Sequence, residues 1–144
     1  PMTPADLRAL AARVMAGENT DDLNEYIFNA TAPHGDGIKH RLWQDMNGKM
    51  RVPYGMFFRD LNAADALMAP LRERGWKDME LRHLGSNLWA AMIFAPDALF
   101  FHRRIAGAAA IMMAAVESQA TGLARTITAL ALLCRAVELE QANG

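Results

Sequence analysis

The segment from Thr121 to Gln141 constrains the fold more strongly than any other part of this 144-residue chain. It is rich in alanine and leucine, and many of its apolar residues recur at the helical spacing that forms one apolar stripe, called the seam below. Several other apolar residues lie outside this seam. The residues on the seam are Leu123, Ile127, Leu130, Cys134 and Val137, and those off it are Leu132, Leu133 and Leu139. A helix that is apolar on more than one side must be buried, either within the domain or in a subunit interface.

A second apolar run precedes it, in the segment Ile105 to Val116 after Pro96-Asp97. Its spacing of four and three residues predicts another long helix, so we expect two Ala/Leu-rich C-terminal helices over residues 97–142. Small residues permit close helix approach and methionines adapt to irregular surfaces, so both a core helix and an oligomer interface are consistent with the pattern. If this run is an interface, we expect a symmetric homodimer. The predicted interface residues are Ile105, Met112, Met113 and Val116.

The N-terminal third predicts a helical hairpin over residues 1–33. Thr3-Pro4 followed by Asp6 supplies a hydroxyl cap, a proline in the first turn and a favourably placed acid, and Gly17 ends the run. A second helix is expected to begin near residues 20–22. The stretch HGDGIKH, residues 34–40, then joins this hairpin to the middle of the chain.

The middle of the chain, residues 38–95, predicts a small sheet interrupted by a helix. Asn47-Gly48 is a two-residue turn signal, which predicts a β-hairpin with strands over 39–44 and 49–54. A helix follows from about residue 60 to Gly75, with Pro70 bending it. MELRHL and LWAAMIFA then read as two strands joined by residues 85–87, the second central in the sheet. We therefore predict a single α+β domain over residues 1–144, with a short antiparallel sheet flanked by helices.

Several landmarks in this order resemble the phage ABA-sandwich domain family. They are Trp43 before the Asn-Gly turn, Pro53-Tyr54, DLNAADAL, Gly75-Trp76 and the terminal run TITALALLCRAVE. The resemblance covers about residues 40–95 and 120–140. It implies an antiparallel sheet sandwiched by helices in a small phage or prophage accessory protein, and it carries over no catalytic residues.

Composition predicts a cytoplasmic location. One cysteine excludes an intramolecular disulfide and indicates a reducing compartment. No signal peptide is visible, and the longest uncharged run is too short to span a bilayer, so no membrane association is expected.

The net charge of −1 is unevenly distributed. Residues 1–37 carry six acids and two bases, whereas residues 38–104 carry eleven bases and seven acids. A basic middle favours an acidic partner surface, although interleaved acids also fit a solvated face of mixed sign. The candidate partner-binding residues are Lys49, Arg51, Arg72, Arg74, Arg103 and Arg104.

No catalytic framework accompanies these features. The serines Ser86 and Ser118 lie outside any nucleophile motif, and Cys134 lies among leucines, where a thiol behaves as a small hydrophobe. His34, Asp36 and His40 are suitable metal ligands, but their spacing across a glycine-rich loop fixes no geometry. We therefore predict neither catalytic residues nor a cofactor, and a metal site at these three residues is kept as the minority interpretation.

Two functions follow from these patterns. The first is a non-enzymatic phage or prophage protein that binds a host or phage protein, for example to inhibit a host defence system. The alternative is a nucleic-acid or small-ligand module that uses the hairpin bases with Trp43 and Tyr54, since aromatics among bases stack on single-stranded bases. On charge we favour a simpler account of the hairpin, in which Trp43 is a core residue and the bases protect a sheet edge.

Overall fold

The chain forms six helices and five strands within the residues that the structure, a computed structural model, describes: 2–34, 38, 41–85, 88–96, 111–117 and 120–143. The helices are α1 (Pro4–Met15), α2 (Asp21–Thr31), α3 (Met56–Arg59), α4 (Leu61–Ala66), α5 (Ala69–Glu73) and α6 (Ala120–Asn143). The strands are β1 (Trp43–Gln44), β2 (Met50–Arg51), β3 (Lys77–Gly85), β4 (Leu88–Phe94) and β5 (Ile111–Glu117). This arrangement confirms the predicted α+β class.

The predicted helical hairpin at the N-terminus is confirmed, together with its caps. Thr3 and Asp6 form a capping box, in which each side chain accepts a hydrogen bond from the backbone N–H of the other. Thr20 caps α2 by accepting from the N–H of Leu23. These short-range hydrogen bonds depend only on local sequence, which explains why the helix starts were predictable.

Helix α6 lies at the centre of the fold, as its apolar character required. It contacts α1, α3 and α4 as well as strands β4 and β5. Its buried residues lie on several sides and include Ala124, Leu130, Leu132, Cys134 and Ala136. Burial also raises the pKa of the Cys134 thiol, so this cysteine is a core side chain.

No helix within the described ranges is long and apolar enough to cross a bilayer.

The predicted helix from residue 60 to Gly75 is in fact two short helices. Asp60 caps α4 through its carboxylate, which accepts from the N–H groups of Asn62 and Ala63. The helix ends at Ala66, and Pro70 lies in the first turn of α5, where its missing N–H needs no partner. Pro70 therefore begins a new helix and does not bend a continuous one. Gly75 follows α5 with φ +99°, which confirms that this glycine ends the helical region.

A three-stranded antiparallel sheet packs beside α6 in the order β3-β4-β5. The predicted pair β3 and β4 is confirmed, and β4 is the central strand. On β4, Ile93 is buried and contributes to the core that includes residues of α6.

Residues 111–117 form strand β5, so the helix predicted over this part of the segment 105–116 is wrong. Alanine and methionine favour a helix intrinsically, but β5 pairs with β4 along its whole length, from Leu88↔Glu117 to Phe94↔Ile111. This pairing satisfies the free edge of β4, and tertiary pairing of this kind overrides local propensity. Only one long C-terminal helix, α6, is therefore present in the described residues.

Two polar networks, the first partly buried and the second fully buried, tie the elements together. The carboxylate of Glu138 on α6 accepts a bidentate hydrogen bond from Arg74 at 2.7 and 2.8 Å and a bond from Trp76 Nε1 at 3.2 Å. Elsewhere, Asn24 Oδ1 accepts from the N–H of Phe57 at 3.3 Å, and Thr128 Oγ1 donates to the Phe57 carbonyl at 2.7 Å. The second network fixes α3 between α2 and α6, directly after the β1–β2 hairpin.

Candidate functional site

The β1–β2 hairpin is the most distinctive surface feature of the described chain. Its two strands pair as Trp43↔Arg51 and Gln44↔Met50 and are shorter than the predicted 39–44 and 49–54. The Asp45 N–H donates to the Lys49 carbonyl at 3.0 Å, and the Gly48 N–H donates to the Asp45 carbonyl at 3.0 Å. The loop therefore has three residues and ends at Gly48 with φ +79°, in place of the predicted two-residue turn.

The carboxylate of Asp45 holds this turn together. Its Oδ1 accepts from the N–H groups of Asn47 and Lys49, and its Oδ2 accepts from Arg51 Nε at 2.9 Å. The Lys49 N–H, then Arg51 and Asn47, hold the pKa of Asp45 below its ordinary value despite the opposing effect of desolvation. The hairpin tip is thus organised by one side chain, without a hydrophobic core of its own.

Large apolar side chains are exposed on this hairpin and on the loop that follows. Trp43 is 53% exposed, Met50 is 43% exposed, Tyr54 is 55% exposed, and Met46 at the tip is fully exposed. Because Trp43 pairs with Arg51 while Met50 pairs with Gln44, Trp43 and Met50 lie on opposite faces of the ribbon. Because Trp43 is more than half exposed, the expectation that it belongs to the core is wrong.

The base of the hairpin is nevertheless fixed to the domain. Val52 is buried, and Tyr54 Oη donates to the carbonyl of Asn19 at 3.3 Å. Arg59 donates to the Tyr54 carbonyl at 2.7 Å and lies over the Tyr54 ring, with 5.1 Å between guanidinium carbon and ring centroid. These contacts hold Tyr54 in a defined orientation while much of its ring remains accessible.

Most basic groups of the hairpin are compensated by nearby acids. Arg51 pairs with Asp45 at 2.9 Å and lies 3.7 Å from Glu25 Oε1 on α2. Arg41 pairs with Asp60, the cap of α4. Lys49, by contrast, makes no ion pair with the described residues. The hairpin is therefore an apolar surface with nearly balanced charge and does not form a concentrated positive patch.

The other predicted partner-binding residues have different environments. Arg72 on α5 makes a bidentate pair with the exposed Asp65, and Arg74 is occupied by Glu138. Arg103 and Arg104 lie outside the described residues. Of the six, only Lys49 and Arg51 lie on the hairpin.

The proposed ligands of the minority metal site are only partly described. His34 Nε2 lies 3.3 Å from Glu73 Oε2, whereas Asp36 and His40 are outside the described residues. In the part of the chain that the structure describes, no three His, Cys, Asp or Glu side chains are grouped to hold a metal ion.

The predicted oligomer interface falls mainly on β5. Met112, Met113 and Val116 pair in register with Ile93, Met92 and Trp89 of β4, while Ile105 lies outside the described residues. The interface was predicted because small residues allow two helices to approach closely. Met112, Met113 and Val116 lie in a strand, so this reason does not apply to them.

Comparisons with known proteins identify no relative. No protein family model, curated protein or solved structure matches the chain. The likeness to the phage ABA-sandwich domain family therefore stays a prediction from sequence, and the candidate site stands on its geometry alone.

Proposed function

We propose that this chain is a non-enzymatic binding protein that contacts a protein partner through the β1–β2 hairpin and the loop carrying Tyr54. The observation that carries this proposal is the exposure of Trp43, Met46, Met50 and Tyr54 within twelve consecutive residues. Tryptophan, tyrosine, methionine and arginine are the residues enriched in the buried centres of protein interfaces.

The charges of the hairpin favour a protein over a nucleic acid. Phosphate backbones are bound by uncompensated lysines and arginines, but Arg51 and Arg41 are each occupied by an acid. Lys49 alone would contribute a free cation among these three. A partner with an apolar pocket and a mixed polar rim fits such a surface better than a uniformly negative one does.

The pre-organised base of the hairpin supports the same proposal. Asp45 fixes the turn, and the contacts of Tyr54 with Asn19 and Arg59 fix the exit of the hairpin. Little side-chain and loop freedom remains to be lost at these points when a partner binds, which favours affinity.

In the biological setting we propose, the chain is a phage or prophage accessory protein in the cytoplasm of an infected or lysogenic bacterial cell. Its partner would be a host or phage protein, and inhibition of a host defence factor is the role that best suits a small protein without a catalytic framework. This setting rests on the sequence resemblance and the single cysteine.

The test is affinity purification from host lysate with wild type, Trp43→Ala and the matched control Leu61→Ala. Leu61 is also an exposed large hydrophobe but belongs to α4. A central interface tryptophan typically contributes at least about 2 kcal/mol, so Trp43→Ala should weaken a purified complex about 30-fold or more. Equal binding of wild type and Trp43→Ala, or equal loss in Leu61→Ala, would contradict the proposal.

Nucleic-acid binding is the second candidate, favoured by the exposure of Trp43 on the hairpin that also carries Lys49. Titration of labelled single-stranded oligonucleotides at low salt tests it. Binding that weakens with salt and is lost in Trp43→Ala and Lys49→Ala would replace the protein-partner proposal.

Homodimerisation is a separate proposal that rests only on the apolar composition of residues 105–116. Light scattering at high protein concentration tests it, and a monomer under those conditions would refute it.

A further inference from the structure

A groove on the side formed by α1, α2 and α6 combines apolar walls with one guanidinium group. It has a volume of about 260 Å³. Its lining residues are Met2, Leu7, Asn29, Ala30, Arg135 and Leu139. Leu7 is completely buried at its floor, while Met2 and Leu139 are partly buried on its walls. Among the described lining residues, only Asn29 and Arg135 have polar side chains.

Among the described residues, the cluster of Arg74, Arg135 and Glu138 beside the groove is positively charged because two arginines share one carboxylate. The Glu138 side chain is 9% exposed and forms a short bidentate pair with Arg74 at 2.7 and 2.8 Å. Arg135 Nη1 reaches the same carboxylate only at 3.3 Å. One negative and two positive charges leave this cluster with a net charge of +1. Because the contact of Arg135 with Glu138 is longer than those of Arg74, the charge of Arg135 is the less compensated of the two.

Arg135 lines the groove and has unused hydrogen-bonding capacity. A guanidinium carries five N–H donors, and the contact with Glu138 is its single hydrogen bond among the described residues. Its side chain is 37% exposed, so a ligand can reach it without unfolding the helix. Since Glu138 is already satisfied by Arg74 and Trp76, this capacity is not needed to stabilise the fold.

From this combination we infer that the groove binds a small monocarboxylate with a short apolar chain, its carboxylate on Arg135 and its chain against Met2 and Leu139, above the buried Leu7. A planar guanidinium matches a carboxylate in a two-bond geometry. The net charge of +1 balances one carboxylate and not the roughly two charges of a phosphate group. This site is separate from the hairpin, so it stands or falls independently of the proposed protein partner.

The experiment is a titration of wild-type protein with hexanoate, followed by methyl NMR of Met2, Leu7 and Leu139. Acetate supplies the charge without the chain, and hexanol supplies the chain without the charge. We expect hexanoate to cause saturable chemical-shift changes at these methyl groups. Acetate and hexanol should each bind at least about tenfold more weakly, since a hydrogen bond to a charged group contributes about 1.5–3 kcal/mol. Absence of hexanoate shifts at these methyl groups, or equal affinity for hexanol, would overturn the inference.

Variants then identify the anion-binding group. Arg135→Gln should reduce hexanoate affinity at least about tenfold and leave hexanol unchanged, whereas Arg72→Gln, an exposed arginine of α5, should change neither. Leu139→Glu places a carboxylate beside the groove and should abolish hexanoate binding even if Arg135→Gln fails to fold. Wild-type affinity in either folded variant would overturn the inference.

Discussion

Replacement of Glu138 by glutamine is the most direct test of how α6 is fixed to the α5–β3 region. The substitution preserves size but removes the negative charge that accepts two hydrogen bonds from Arg74, one from Trp76 and one from Arg135. An amide has one acceptor oxygen, so at least one Arg74 bond is lost and an N–H group is placed against a guanidinium. Arg74 and Arg135 also lose the carboxylate that they share among the described residues.

The size of the expected loss in stability depends on how exposed Glu138 and its two arginine partners are. A hydrogen bond to a charged group contributes about 1.5–3 kcal/mol, and Glu138, at 9% exposed, has little water to replace it. Arg74 and Arg135 are 43% and 37% exposed, so water solvates them after the substitution and the lower end applies. We expect Glu138→Gln to lower the free energy of unfolding by about 1.5–2 kcal/mol, which for a chain of this size lowers Tm by about 6–8 °C.

The assay is urea and thermal unfolding followed by circular dichroism, with Asp65→Asn as the matched control. Asp65 also makes a bidentate pair with an arginine, Arg72, but both side chains are largely exposed. An exposed pair contributes no more than about 1 kcal/mol, so the control should lose much less stability. Equal losses in the two variants would refute the reasoning that burial of Glu138 makes its network stabilising.

Three further predictions concern single contacts. Thr128→Val should lower the free energy of unfolding, measured by urea titration, by about 1–3 kcal/mol, because the buried Phe57 carbonyl loses the Thr128 hydroxyl as its donor. Thr126→Val loses only a hydrogen bond within α6 and should lower the free energy of unfolding by less. A larger loss of stability in Thr126→Val than in Thr128→Val would be inconsistent with a tertiary role of Thr128. Ala32→Gly should raise stability by about 1 kcal/mol, since Ala32 ends α2 at φ 45°, where glycine is unstrained; a lower Tm would contradict this. Because the pKa of Asp45 is lowered in the folded chain, its carboxylate stabilises the hairpin at pH values above the ordinary pKa of 3.8. This stabilisation is lost as the pH falls through the lower pKa of the folded state. A pKa of 3.8 or more for Asp45 in a carboxyl NMR titration would disprove the turn contacts.

Local patterns in the sequence were sufficient for the features that short-range chemistry controls. The caps at Thr3 and Thr20 depend on side chains within three residues of the helix starts, so their sequence signals were reliable. The burial of α6 followed from apolar residues on several of its sides, and the pairing of β3 with β4 followed from two strand-like runs joined by a short turn. The candidate surface was predictable in part, because Trp43 and Tyr54 were recognised as aromatics beside bases.

Tertiary structure decided the features that depend on distant partners. Residues 111–117 are rich in alanine and methionine and favour a helix locally, yet they form β5 because β4 offers an edge whose N–H and carbonyl groups need pairing. Trp43 could have been a core residue, but the strands of its hairpin pair over only two residues each and leave it 53% exposed. The contact of Arg51 with Glu25 likewise depends on the position of α2, whereas its pair with Asp45 lies within the hairpin. The sequence by itself determined where α1 and α2 begin and that α6 is buried. Strand β5 and the contact of Arg51 with Glu25 arose from segments far apart in the chain, which no local pattern encodes, and the exposure of Trp43 followed from the shortness of its hairpin strands.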